Sequence, residues 1–160
     1  MSAWQTLFAT QAGAGAALTG LVFVALSINL KEILAYPVLA NRAGEALLLL
    51  LFPVIIGLVG LLPQTSTRAV GAEFLVVTGT LWLIVTLILL KAHKATLDRP
   101  RREFRTRATV AELAVVPAIV AGCILLAGSL SGMWWLAAAV ILCIIAGVAD
   151  AWVLLVEILR

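Results

Sequence analysis

The residues able to do chemistry in this chain are few. There is one histidine, His93, and there are eight carboxylates: Glu32, Glu45, Glu73, Asp98, Glu103, Glu112, Asp150 and Glu157. The stretch KAHKATLDRPRREFRTR, residues 91 to 107, gathers seven of the eleven basic residues together with that histidine. His93 stands between lysines with no second metal ligand at useful spacing, and serine, histidine and acid never come together in a recognisable arrangement. No glycine-rich phosphate loop is present either, so the chain reads as a non-enzyme with no metal and no cofactor. Nucleic acid is an equally poor partner, because the basic stretch has neither a recognition fold nor interleaved stacking aromatics, only Phe104.

Composition names the solvent. Of 160 residues, 64% are hydrophobic and 12% charged, about half the charge of an ordinary soluble domain. Apolar runs near the length of roughly 20 residues that crosses a bilayer recur until the chain is consumed, leaving room for no soluble domain. The sequence predicts an all-α polytopic membrane protein, one transmembrane domain over residues 1–160, built as a bundle of five spans near 9–30, 43–63, 69–90, 108–130 and 133–158. An amphipathic connector, KEILAYPVLANR, joins the first two, and Pro53 predicts a kink in the second. The N-terminal stretch MSAWQTLFATQAGAG has no positive residue and so lacks the n-region of a cleaved signal peptide. An odd span count and unmatched prolines argue against an inverted repeat of the transporter kind.

Lysine and arginine set the expected orientation, since short loops rich in them stay in the cytoplasm. Residues 91–107, taken as a basic cytoplasmic loop, put Lys31, Arg42 and Arg160 inside and leave Arg68 outside. The N-terminus is then outside and the C-terminus cytoplasmic. Trp134 and Trp152, 18 residues apart, lie about 27 Å apart on a helix, close to the thickness of a hydrocarbon core. Trp4 and Phe8 are placed to seat the N-terminus at the outer interface.

With these depths assigned, the midplane is expected to be free of charge, and Glu45, Glu112, Asp150 and Glu157 collect at the cytoplasmic end. Asp150 and Glu157 share a helix face, and Arg42 can pair with Glu45 three residues on. The cluster is either an ion-pair network that fixes helix ends or a vestibule whose acids concentrate cations. Arg42, Arg99, Arg101, Arg102, Arg105 and Arg107 are the paired or orienting bases, and they offer contacts to anionic lipid head groups. Arg68 and Glu73 mark an outer pair or mouth. Thr19, Ser27 and Asn29 in the first span, and Thr78, Thr80 and Thr86 in the third, are uncharged polar groups; hydroxyls in such helices mostly bond back to their own preceding turn. Asn29 is expected to lack a local partner.

Small residues at intervals of four allow close approach of membrane helices. The first span has two such rows, Ala9, Gly13, Ala17 and Ala12, Ala16, Gly20, which predict a central helix; Gly13, Ala16, Thr19, Gly20, Ser27 and Asn29 are the candidates for packing or for lining a path. The last span has the row Ala139, Cys143, Gly147, Ala151. Cys123 and Cys143 both fall in apolar runs and read as small hydrophobes. Five helices enclose little interior, so self-association is expected. Two functions fit: a homo-oligomeric channel or facilitator for ions or small solutes, and a non-catalytic regulatory or assembly subunit that binds another membrane protein or anionic lipid.

The stretch GAGAALTGLVFVALSINLKEIL, with NRAGEALLLL after it and AWVLLVEILR at the end, resembles an uncharacterised family of small multi-span bacterial membrane proteins. The resemblance covers most of the chain. It implies a bacterial inner-membrane location and assigns no site residue.

Overall fold

A computed structural model describes residues 2–63, 66–95 and 101–158. The described chain is entirely helical: α1 (Ser2–Ile28), α2 (Leu30–Ala35), α3 (Pro37–Leu61), α4 (Thr67–Ala95), α5 (Arg101–Leu126) and α6 (Gly132–Ile158). Among the described residues four helical segments are long and apolar enough to cross a membrane: Trp4–Ile28, Pro37–Leu61, Thr67–Leu90 and Gly132–Glu157. The fourth expected span, 108–130, is the exception. Among the described residues α5 supplies the apolar stretch Glu112–Leu126, and its first two turns carry Arg101, Arg102, Arg105 and Arg107.

Two boundaries differ from expectation for the same reason. The connector after the first span is helix, α2 followed by the opening turns of α3, with Pro37 in the first turn of α3, where its missing N–H costs nothing. The basic stretch is largely helix too: α4 continues through Ala95, and α5 begins at Arg101. Lysine, alanine, glutamate and arginine are strong helix formers, so a change from apolar to charged ends the hydrocarbon segment without ending the helix.

The helices α3, α4, α5 and α6 close into a ring in which α3 and α5 each pack against both α4 and α6. Neighbours in the ring run antiparallel, the up-down arrangement of a four-helix bundle. The core is large and apolar: Leu49, Phe52, Ile56, Phe74, Leu125 and Leu136 are all buried. Glycines set the closest approaches. A methyl group on Gly71 of α4 would collide with the α5 backbone at Leu126, and one on Gly132 of α6 would lie 2.6 Å from the Ala121 carbonyl of α5. The turn from α5 to α6 uses Gly128 at φ 93°, a left-handed conformation that favours glycine.

The first helix is peripheral, which corrects the expectation of a central one. It packs along α3 and touches α6 only slightly. At one end Gly57 and Gly60 of α3 open a gap into which α1 settles. A methyl on Gly57 would lie 2.6 Å from the Phe8 carbonyl, and one on Gly60 would lie 2.6 Å from Cγ of the Phe8 ring. Phe8 is therefore buried rather than interfacial, with its ring 6.0 Å from that of Phe74 on α4. Trp4 stacks edge-on against Trp134, centroids 5.1 Å apart, so the N-terminus lies at the same end of the bundle as the start of α6.

Candidate functional site

The polar side chains that the fold brings together sit at the other end, on the seam between α3 and α6. Gly147 makes that seam tight: a methyl there would lie 2.8 Å from the Leu50 side chain and 3.3 Å from the Ala46 carbonyl. One turn further along each helix come Arg42 and Asp150. The Arg42 guanidinium donates from Nη1 to Oε2 of Glu157 at 3.0 Å, and its Nε lies 3.8 Å from Oδ1 of Asp150. One cation thus bridges two carboxylates set two turns apart on one face of α6. Arg42 is buried, and so is Glu45, one turn along α3. The Arg42 Nε itself has no hydrogen-bond acceptor, so Asp150 holds it by charge alone.

Glu112 is elsewhere. Helices α5 and α6 do touch, yet the Glu112 carboxylate turns to α4, where the Trp82 indole Nε1 donates to both its oxygens at 3.1 and 3.0 Å. Two of the four acids expected together, Asp150 and Glu157, therefore meet on the α3–α6 seam, Glu45 is buried on α3 one turn from Arg42, and Glu112 lies on the α4–α5 face. Among the described residues no group of three or more histidine, cysteine or acidic side chains is arranged to hold a metal. The expected bases Arg101, Arg102, Arg105 and Arg107 are on the first turns of α5, with side chains outside the described set; Arg99 and Arg160 lie outside the described residues altogether. The His93 side chain is likewise outside that set.

At the Trp134 end, Arg68 is exposed over the turn at Gly128 and Glu73 is half-buried. The hydroxyls of α1 behave as hydroxyls in apolar helices usually do: Thr19 donates to the Gly15 carbonyl at 2.7 Å and Ser27 to that of Phe23 at 2.8 Å. Asn29 does the same, contrary to expectation, donating from Nδ2 to the Ala25 carbonyl at 2.9 Å. Gly13 and Gly20 face open space, and Ala16 is exposed.

Two polar features, Trp82 and Gln11, escape a reading of the sequence, and Thr78 departs from the back-bonding expected of it. Trp82, as the partner of Glu112, has no signal in spacing, because the pair is made across two helices. Gln11 and Thr78 are buried and neither side chain has a hydrogen-bond partner. A signal for Gln11 exists: it follows Phe8 by three residues and precedes Gly15 by four, so it shares their inward face. Between α3 and α4 a groove of about 230 Å³, lined by Leu48, Leu51, Ile55, Val76 and Ile84, is almost wholly apolar. Its chemistry matches hydrocarbon.

No protein-family model, no curated protein and no solved structure matches the chain.

Proposed function

We propose that the protein is a multi-pass protein of the bacterial inner membrane that crosses it five times, N-terminus outside and C-terminus cytoplasmic, and assembles from identical copies into a channel or facilitator for ions or small solutes. The observation that carries this reading is the contrast between a filled protomer and an unfilled face. The ring of α3 to α6 is packed with Leu49, Phe52, Ile56 and Phe74, so a path for solute runs between protomers. Gly13, Ala16, Ala17 and Gly20 of α1 are uncovered and small enough for close helix contact. Arg42 with Asp150, Glu157 and Glu45 supplies charged groups at the end where the basic residues lie, and the basic residues supply the orientation.

Two measurements test the reading. The mass of the protein in detergent should be a multiple of the 16.9 kDa chain, and reconstituted protein should move an ion or small solute faster than empty liposomes do. A protomer mass with no flux overturns it. The same uncovered α1 face also fits a second reading, an assembly subunit that binds another membrane protein, with the basic segment on anionic lipid. Crosslinking in cells separates the two, because a persistent partner that is not a second copy supports the subunit.

A further inference from the structure

Glu112 is deeper than its distance from the basic segment implies. The Cys143 thiol of α6 donates to the Ala114 carbonyl of α5 at 3.5 Å, which sets these antiparallel helices level at that point. Glu112, two residues earlier, is then level with Ile145. At 1.5 Å per residue this is about 10 Å from the level of Trp152 and about 16 Å from that of Trp134. Both tryptophans are exposed on α6, as residues at the two faces of a bilayer are. The carboxylate therefore lies well inside the hydrocarbon zone between them, on the surface of the bundle, beside a Trp82 that is 39% exposed.

A carboxylate at that depth is expensive and marks function by default. Here its hydrogen-bond donor is a neutral indole N–H shared between both oxygens, whereas an ionised carboxylate has about four acceptor positions. The indole is held by its edge, which leaves its π face available. Room lies alongside: Gly79, one turn before Trp82 on α4, has nothing within 4 Å of the point where a side chain would begin. Negative charge, an aromatic face and an open notch, all bordered by hydrocarbon, favour one class of ligand. A hydrated inorganic ion needs several oxygen ligands. An organic cation with apolar substituents needs none: it reaches this depth through the bilayer, pairs with the carboxylate and stacks on the ring.

We propose that Glu112, Trp82 and the notch at Gly79 form a binding site for an apolar organic cation, entered sideways from the membrane. The site rests on the membrane placement of the helices and not on transport, so binding and flux are separate measurements.

Tetraphenylphosphonium is a suitable probe, titrated calorimetrically into the purified full chain in non-ionic detergent, with empty micelles as the blank. Wild type should bind saturably at one site per chain. Glu112→Gln should weaken binding by about tenfold or more, and Glu112→Asp should retain more affinity than Glu112→Gln. Gly79→Leu, which fills the notch and leaves the charge in place, should weaken binding several-fold. Glu32→Gln, which removes an equal charge from the exposed surface of α2, should leave binding unchanged. Each variant is first checked for a wild-type melting temperature and elution volume; where Glu112→Gln fails that check, Gly79→Leu and Trp82→Phe carry the test. Partition equal to that of empty micelles, or variants at Glu112 and Gly79 that bind as wild type does, overturns the site. Binding without flux removes the facilitator reading alone, and flux without binding removes this site alone.

Discussion

Two helices carry rows of small residues, and the fold uses them in opposite ways. On α6, Ala139, Cys143, Gly147 and Ala151 are all buried, pressed into α3 and α5. On α1, Ala9, Gly13, Ala16, Ala17 and Gly20 are all exposed, Ala12 alone of the two rows packs, against Gly57 of α3, and the rest of the packed face is Phe8, Gln11, Gly15 and Leu26. Both helices have the spacing that permits close approach. Spacing states that a neighbour can come near; only the remaining helices decide whether one does. On α6 the row is spent inside the protomer. On α1 it is left over.

The difference can be broken most forcefully at Gly147. A leucine there meets Leu50 and the Ala46 carbonyl across the α3–α6 seam, and overpacking at a backbone contact should cost about 3 kcal/mol or more, seen as loss of a monodisperse folded peak on gel filtration. Arg42→Met removes the cation that locks the same seam and takes its charge from Asp150 and Glu157; a loss of about 3 kcal/mol is expected, read from thermal unfolding in micelles. The inward face of α1 answers with the opposite sign. Gln11→Met replaces an amide whose oxygen and nitrogen are both without partners by an apolar chain of similar volume, and should raise stability by about 1 kcal/mol. Gly13→Leu, on the outward face, should change protomer stability by no more than about 0.5 kcal/mol and yet lower the mass of the complex in detergent. Should Gly13→Leu unfold the protomer, or Gly147→Leu leave it intact, the two rows would not be used as described.

The helices are legible because hydrocarbon length dictates them: runs near 20 apolar residues bounded by charge recur through the chain, α4 and α6 contain the corresponding expected spans, and α3 contains all but the last two residues of its own. Within the charged groups, Asp150 and Glu157 on one face is a matter of helical period, and one guanidinium does reach both. Glu112 shows where this kind of reading ends. Its expected place is with the other acids at the cytoplasmic end, but α5 carries straight through the end of the basic segment, so that boundary is no ruler of depth. Asp150 and Trp152 lie on one helix, so their relative depth follows from the rise per residue, whereas fixing Glu112 takes the α5–α6 register, which comes from Gly132 and Cys143 meeting particular backbone atoms. The periphery of α1 is hidden for a related reason. Gly57 and Gly60 of α3 admit one flank of that helix, and nothing within α1 reveals which.

The continuation of α4 to Ala95 and the start of α5 at Arg101 alter the thermodynamics of whatever meets the basic segment. A flexible loop that settles on an anionic surface must surrender about 1–2 kcal/mol of backbone entropy for each residue it orders. The backbone of residues 91–95 and 101–107 is already helical, anchored below by the packing of α4 on α5 and by the Trp82–Glu112 hydrogen bonds. That ordering was completed when the chain folded. Attraction between these charges and a phosphate-bearing surface consequently appears as affinity with little deduction, and a proline substituted at the uncharged Thr106, past the first turn of α5, should break this helical start and weaken adsorption to anionic vesicles although every charge remains.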